Sequence, residues 1–340
     1  MSAGSGSLPR YIGQRLLLVI PTIWVLITIV FLLLRVAPGD PVSAMVGGHL
    51  DPAALALRRH TLGLDRPLYV QYLEYIKDVA TLHFGHTLSD NRPILDVVRD
   101  NGGATLSLTI GAFVFALLIG VPLGLVAGRR RDSVLDAVIR TFGVVSYAAP
   151  IFWIGLMLVI LVAPYGWPTY GIGSPVTLFE VPARTHILIL DCVLAGNWTA
   201  FLDVLKHHLL PCFTLGLLLS GVFIRLVRVN LLQSLKGDYV EAARARGIPE
   251  RLVIRRHAFR NALVPVMTVI GLQVALAMSG AVLTERTFNW PGLGNQLINY
   301  INLRDYPAVQ GLVTFFAIVV VFASLMVDIV NALIDPRIRY

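Results

Sequence analysis

Charge is what this sequence has least of. Asp, Glu, Lys and Arg make up 14% of its 340 residues, against 56% hydrophobic, and mean hydropathy is +0.73. A soluble domain carries roughly a quarter charged residues, so the composition excludes an ordinary soluble protein. Cysteine is almost absent as well. Cys192 and Cys212 stand alone, and their spacing supports neither a zinc site nor a disulfide framework. No G-x-x-x-x-G-K-[ST] loop is present to cradle phosphates, and there is no H-E-x-x-H or G-x-S-x-G. Leu219-Ser220-Gly221 lies inside an apolar block and is discounted as a nucleotide signature. The eight histidines are scattered, and His207-His208 stand at the entrance of an apolar block, where an interface role outweighs metal binding. Asn197-Trp198-Thr199 reads as a chance sequon. The chain is therefore expected to be no enzyme, with no catalytic, cofactor or metal site of its own.

Charge is scarcest deep inside the apolar blocks. Ion-coupled secondary transporters need titratable or coordinating side chains there, yet the deep interiors are nearly free of charge: Arg140 lies early in the third block and Asp328 toward the end of the last. Gln273 and Ser279 are polar candidates for lining a pathway, with an interhelical hydrogen bond as the competing reading. The ion-coupled transporter is thus the less favoured reading, and the driving energy is expected from outside the chain.

What is present is a set of apolar blocks long enough, at about 20 residues, to cross a bilayer. They cover residues 11–36, 104–127, 134–162, 209–229, 262–283 and 307–334. The expected fold class is an all-α polytopic membrane protein with about six transmembrane helices. No cleavable signal peptide is expected, because the first block is too long and lacks a small-residue cleavage site. The chain divides into residues 1–103, a first span followed by a long polar region, and residues 104–340, the main membrane core. Within the polar region Pro38-Gly39-Asp40-Pro41 reads as a turn cluster, and Tyr69, Tyr72, Leu73, Ile76 and Val79 fall on one face of a helix over 68–82. The block over 134–162 carries Pro150 near its middle, and residues 164–205 form a mixed loop.

The net charge of +8 suggests nucleic acid only until the basic residues are placed. They sit beside spans, where topology and anionic lipid headgroups account for them. Arg10 and Arg15, the run Arg129 to Arg131, nine Lys and Arg residues from Arg225 to Arg260, and Arg337 and Arg339 fall on one side. The other side has six in residues 37–103, offset there by eight acids. The positive-inside rule puts both termini in the cytoplasm.

One polar, punctuated stretch on that side interrupts the apolar pattern. Asp238 and Glu241 are spaced as a capping box; Ala242, Ala243 and Ala245 favour helix; Arg244 and Arg246 suit its C-terminal end. Gly247 can close the helix, and Pro249 fits the first turn of a second one running to Arg260. The stretch from Asp238 to Gly247, with Arg256-His257-Ala258-Phe259-Arg260-Asn261-Ala262-Leu263-Val264-Pro265, resembles the coupling loop of importer-type ABC permeases of the dipeptide/oligopeptide (and nickel) branch. Phe259-Arg260 stands where the general family has Leu-Pro, a departure that points to the peptide branch. Residues 62–72 and 285–294, the latter Glu285-Arg286-Thr287-Phe288-Asn289-Trp290-Pro291-Gly292-Leu293-Gly294, are similar to the same branch.

The resemblance implies a permease subunit in the plasma (inner) membrane of a prokaryote, working with a second homologous permease, two ATP-binding subunits holding ATP and Mg, and an extracytoplasmic substrate-binding protein. Its coupling loop, about residues 233–261, would dock on the ATPase through Asp238, Tyr239, Glu241, Ala242, Ala243, Arg244, Arg246 and Gly247. Pro249, Arg256, His257, Arg260 and Asn261 would support it. Residues 37–103 would serve as the binding-protein platform or as a scaffold around the pathway mouth. Peptides are favoured as substrate over nickel or another chelated metal, since the spans lack His, Cys and Met clusters.

Overall fold

The computed structural model describes residues 8–36, 56, 59–60, 63 and 65–334. The turn cluster expected over 38–41 and part of the expected motif over 62–72 lie outside them. Twelve helices carry the description: α1 (Leu8–Val36), α2 (Leu68–Ala80), α3 (Ile94–Arg129), α4 (Val134–Ala148), α5 (Ile151–Val162), α6 (Pro175–Glu180), α7 (Leu188–Leu194), α8 (Trp198–Ser234), α9 (Asp238–Ala245), α10 (Phe259–Thr287), α11 (Leu293–Asn302) and α12 (Tyr306–Ile334). No strand is found among the described residues.

The centre of the fold is the parallel seam between α3 and α8. Lipid tails are as apolar as leucine, so helices in a membrane associate by close packing rather than by a hydrophobic drive. Along α3 a small residue recurs every fourth position: Ala112, Ala116, Gly120, Gly124 and Gly128, all buried. That row lets the backbone of α8 approach. A Cβ on Gly120 would stand 2.6 Å from the Cβ of Phe223, and one on Gly216 would stand 2.6 Å from the Cβ of Phe115. Leu215, Leu219, Phe223 and Val227 of α8 fill the other half of the seam and are fully buried. By contrast α1 and α12 leave most of their apolar surface open, the pattern of helices facing lipid. They pack on each other, and Arg15 pairs with Asp328 at 3.2 Å, so the acid noted in the last block has a partner on the first.

Several expected boundaries move. Helices α3 and α8 run well beyond the expected spans, because apolar content fades outward while the helix continues until a capping residue or proline stops it. Pro93 precedes α3, and the Asn197 side chain accepts from the Ala200 N–H at 3.0 Å to begin α8. The residues that matched a sequon are thus a helix start. The block over 134–162 is not one straight helix. Ala149 and Pro150 take extended backbone, Pro150 supplies no N–H, and α4 and α5 meet at a bend of 105°. Four described helices (α1, α3, α8 and α12) are long and apolar enough to cross a membrane, and the bent pair makes a fifth if it counts as one span. The remaining expected span falls on α10, 29 residues long, several of whose side chains lie outside the described residues.

Gly216→Leu should force α3 and α8 apart and destabilise the protein by at least about 1–3 kcal/mol, the usual range for overpacking. Thermal unfolding in detergent will show this as a lowered Tm, while Leu118→Val, on the open face of α3, leaves Tm unchanged.

Candidate coupling site

Helix α8 ends at Ser234 and the chain turns through Leu235–Gly237 into α9. The expected capping box does not form. Gly237, not Asp238, is the N-cap, and no side chain caps the helix. The Gly237 carbonyl receives the N–H groups of Val240 (2.8 Å) and Glu241 (3.3 Å), so Asp238 already lies inside the first turn. Asp238 and Glu241 still favour this end through the helix dipole.

The eight residues of α9 have two faces. Val240 and Ala243 are fully buried against Leu231, Val253, Ile254, Ala258 and Ala262 of the same chain. Asp238, Tyr239, Glu241, Ala242, Arg244, Ala245, Arg246 and Gly247 are exposed. Ala243 therefore departs from the expected docking set: spaced three residues from Val240, it falls on the inward face and fixes α9 to its own subunit. The helix closes as expected. Gly247 takes a left-handed φ of +74°, its N–H reaching the Arg244 carbonyl at 2.9 Å, and the Ile248 N–H returns to Ala243 at 3.3 Å. The Arg244 guanidinium then spans the turn, donating from Nε to Glu250 Oε2 (3.0 Å) and from Nη2 to Oε1 (2.7 Å). That pairing holds the Glu250 carboxyl below the ordinary glutamate range.

Pro249 sits one position before the second helix, as its cap, rather than in the first turn. The helix after it is not a separate piece ending at Arg260. A turn, Glu250–Leu252, passes into six residues of π-helix, Val253–Ala258, and then directly into α10. No proline or glycine lies between Arg251 and Val264 to break it. Arg256, Arg260 and Asn261 are exposed on this run and His257 is half-buried. The wide π segment buries Val253, Ile254 and Ala258 under α9; such segments recur at functional places in helices.

The C-terminal end of α8 is tied to α4 as well. Arg228 donates through Nε and Nη2 to the two oxygens of Asp136, each at 2.7 Å, and the Asp136 side chain is fully buried. Arg140, which looked isolated in the third block, lies 3.5 Å from the same carboxylate. Gln273 shares the inward face of α10 with Val266, Ala277 and Ala281, and its Nε2 is buried without a partner. It is enclosed by its own subunit, and its amide makes no interhelical hydrogen bond through that nitrogen. The side chain of Ser279 lies outside the described residues. Glu285, in the stretch 285–294 that resembles the peptide branch, is fully buried in the last turn of α10.

No group of three or more potential metal ligands occurs among the described residues. What the site offers is a shaped, charged surface resting on a packed base, suited to engaging another protein. Together with the long apolar helices, it describes a multi-pass membrane protein with a surface for a protein partner. The family model for binding-protein-dependent transport system inner membrane components matches residues 120–340, and its N-terminal companion matches residues 8–109. The chain belongs to that family. It is 39% identical over 332 residues to the di/tripeptide transport system permease protein DppB of Pseudomonas aeruginosa (strain UCBPP-PA14), covering 97% of this chain and 98% of that one. It is 38% identical over 336 residues to the dipeptide transport system permease protein DppB of Escherichia coli (strain K12), covering 97% and 99%. It is also 35% identical over 333 residues to the glutathione transport system permease protein GsiC of Salmonella typhi, covering 97% and 99%. Membership replaces the ion-coupled reading, and it implies assembly with another permease, ATPase subunits and a substrate-binding protein in the inner membrane.

The two faces of α9 separate experimentally. Ala243→Glu should lower Tm and membrane yield by placing a charge in the buried base, whereas Ala242→Glu, one residue away, keeps both and weakens only the capture of the ATPase subunit in pull-down.

Proposed function

We propose that this chain is one of two different permeases in an ATP-driven importer of di- and oligopeptides, forming part of the translocation pathway. The observation that carries this reading is the exposed face of α9, presented on a base of its own subunit's buried side chains. In the proposed complex two ATPase subunits bind ATP and Mg, and an extracytoplasmic binding protein delivers the substrate. The positive residues beside the spans support cytoplasmic termini and a cytoplasmic α9, with residues 37–103 outside as a binding-protein platform or scaffold.

Tyr239, Glu241, Ala242 and the arginines would enter a groove on the ATPase, with Gly247 allowing the chain to reverse behind them. ATP-driven approach of the two ATPases would displace α9 as a rigid body. Since Val240 and Ala243 are packed into Val253, Ile254, Ala258 and Ala262, the displacement passes into α10. Relatives named for dipeptide, di/tripeptide and glutathione transport support peptides over nickel as the cargo.

Co-purification with the neighbouring subunits, followed by reconstitution with the binding protein, tests this directly. Di- and tripeptides should stimulate ATP hydrolysis; stimulation by nickel chelates and not by peptides would overturn the choice of substrate. Glu241→Lys and Gly247→Pro should each reduce peptide uptake by roughly tenfold or more, an interface effect of about 1.4 kcal/mol or above, with membrane insertion intact. Wild-type uptake by both variants would remove α9 as the docking element.

A further inference from the structure

The outer end of α10 holds a buried carboxylate that coupling at the inner end leaves unexplained. Glu285 has no exposed surface. Thr105 Oγ1 of α3 donates to its Oε1 at 2.7 Å, and the backbone N–H of Asn295, in the first turns of α11, donates to Oε2 at 2.9 Å. Thr105 Oγ1 in turn accepts the Leu293 N–H at 2.8 Å. The Glu285 carbonyl accepts from the Trp290 N–H at 2.8 Å, and Trp290 Nε1 reaches back to the Ala104 carbonyl at 2.9 Å. The Trp290 ring stands edge-on to His208 of α8, with centroids 4.6 Å apart. At Gly292 a Cβ would overlap the Glu285 carboxylate, so the loop can close over it only with glycine there.

No cation pairs with this carboxylate among the described residues. Arg286, next in the chain, faces Asn295 and Asn299 at 3.4 Å instead. Removing an acid from water is unfavourable, and an apolar side chain would fill the space at less cost. What an apolar side chain lacks is two directed acceptors that fix α3 and α11 to α10 in a single register.

The inner end of α10 is joined without a break to the π segment and the α9 hairpin. At about 1.5 Å per residue its 29 residues span roughly 43 Å. Displacing one end of a rod tilts it only where the other end is held; a rod held at neither end simply slides. We propose that Glu285 is the positioning residue that holds the outer end of α10, making this helix a lever between the ATPase-facing hairpin and the outer face. This rests on the importer reading. Movement of α9 then tilts α10 about the Glu285–Thr105 contact, and a binding protein pressing on the outer face is felt at α9 by the same linkage.

The test uses the reconstituted complex with its binding protein, comparing wild type with Glu285→Ala, Thr105→Val and the double variant. Assembly and basal ATP hydrolysis should stay within about twofold of wild type in Thr105→Val, while uptake and peptide-stimulated hydrolysis fall roughly tenfold, a coupling loss of about 1.4 kcal/mol. Glu285→Ala should act in the same direction, and the double variant should be no worse than Glu285→Ala, because both changes break one contact. Wild-type uptake in Glu285→Ala, additive effects in the double variant, or loss of assembly and basal hydrolysis in Thr105→Val would each overturn the lever. A wild-type complex whose hydrolysis ignores peptide would instead overturn the importer reading beneath it.

Discussion

Everything in this fold depends on how closely α3 and α8 can approach. With no hydrophobic drive between helices in lipid, contact must come from backbones fitting together, and side chains set the distance. The row from Ala112 to Gly128 on α3, answered by Gly216 on α8, removes those side chains where the helices cross. The same device serves the next neighbour: Gly221 of α8 faces Gly143 of α4 so closely that a Cβ on Gly221 would strike the Gly143 carbonyl. With α8 enclosed in this way, α4, α5 and α10 have a rigid post to pack on. Helices α1 and α12 close the bundle with surfaces left to lipid.

Scarce charge then acquires meaning from position. Among the described residues, each buried or half-buried acid of the membrane helices sits near a helix end and bridges two elements: Asp136 joins α4 to α8, Asp203 joins α8 to α6, Asp328 joins α12 to α1, and Glu285 joins α10 to α3 and α11. Breaking a buried pair leaves an uncompensated polar group, which is costly in a low-dielectric surrounding. Such contacts are therefore strongly directional where dispersion forces between apolar surfaces are not. They fix which helix ends stay together.

The parts of this architecture legible in the sequence were those with a strong local signal. Residues 238–249 declare a helix, a left-handed glycine and a restart, because alanines, Gly247 and Pro249 each restrict the backbone within a few residues. The apolar blocks announce helices by length. What stayed hidden depended on geometry between distant residues. Asp238 and Glu241 have capping-box spacing, but Gly237 took the cap one residue earlier. Ala242 and Ala243 look alike as letters, and only packing on Val253 and Ala258 separates docking surface from base. The fourfold spacing of small residues on α3 was a readable sign of a helix seam. Resemblance singled out the stretch beginning at Glu285, but nothing local gave that acid its partners at Thr105 and Asn295.

The two ends of α10 also differ in kind, and the difference suits a moving part. At the N-terminal end Val240 and Ala243 meet Val253, Ile254, Ala258 and Ala262 through apolar contact, with a π segment beneath them. Apolar contacts tolerate small sliding, and a π segment carries an extra residue in its turn that a helix can redistribute. At the C-terminal end the contacts are hydrogen bonds of 2.7 to 2.9 Å with fixed directions. A helix soft at one end and keyed at the other converts a push on its soft end into rotation about its keyed end. That asymmetry is written in residue type: alanines, two valines and an isoleucine at one end, a carboxylate, a threonine and a tryptophan at the other.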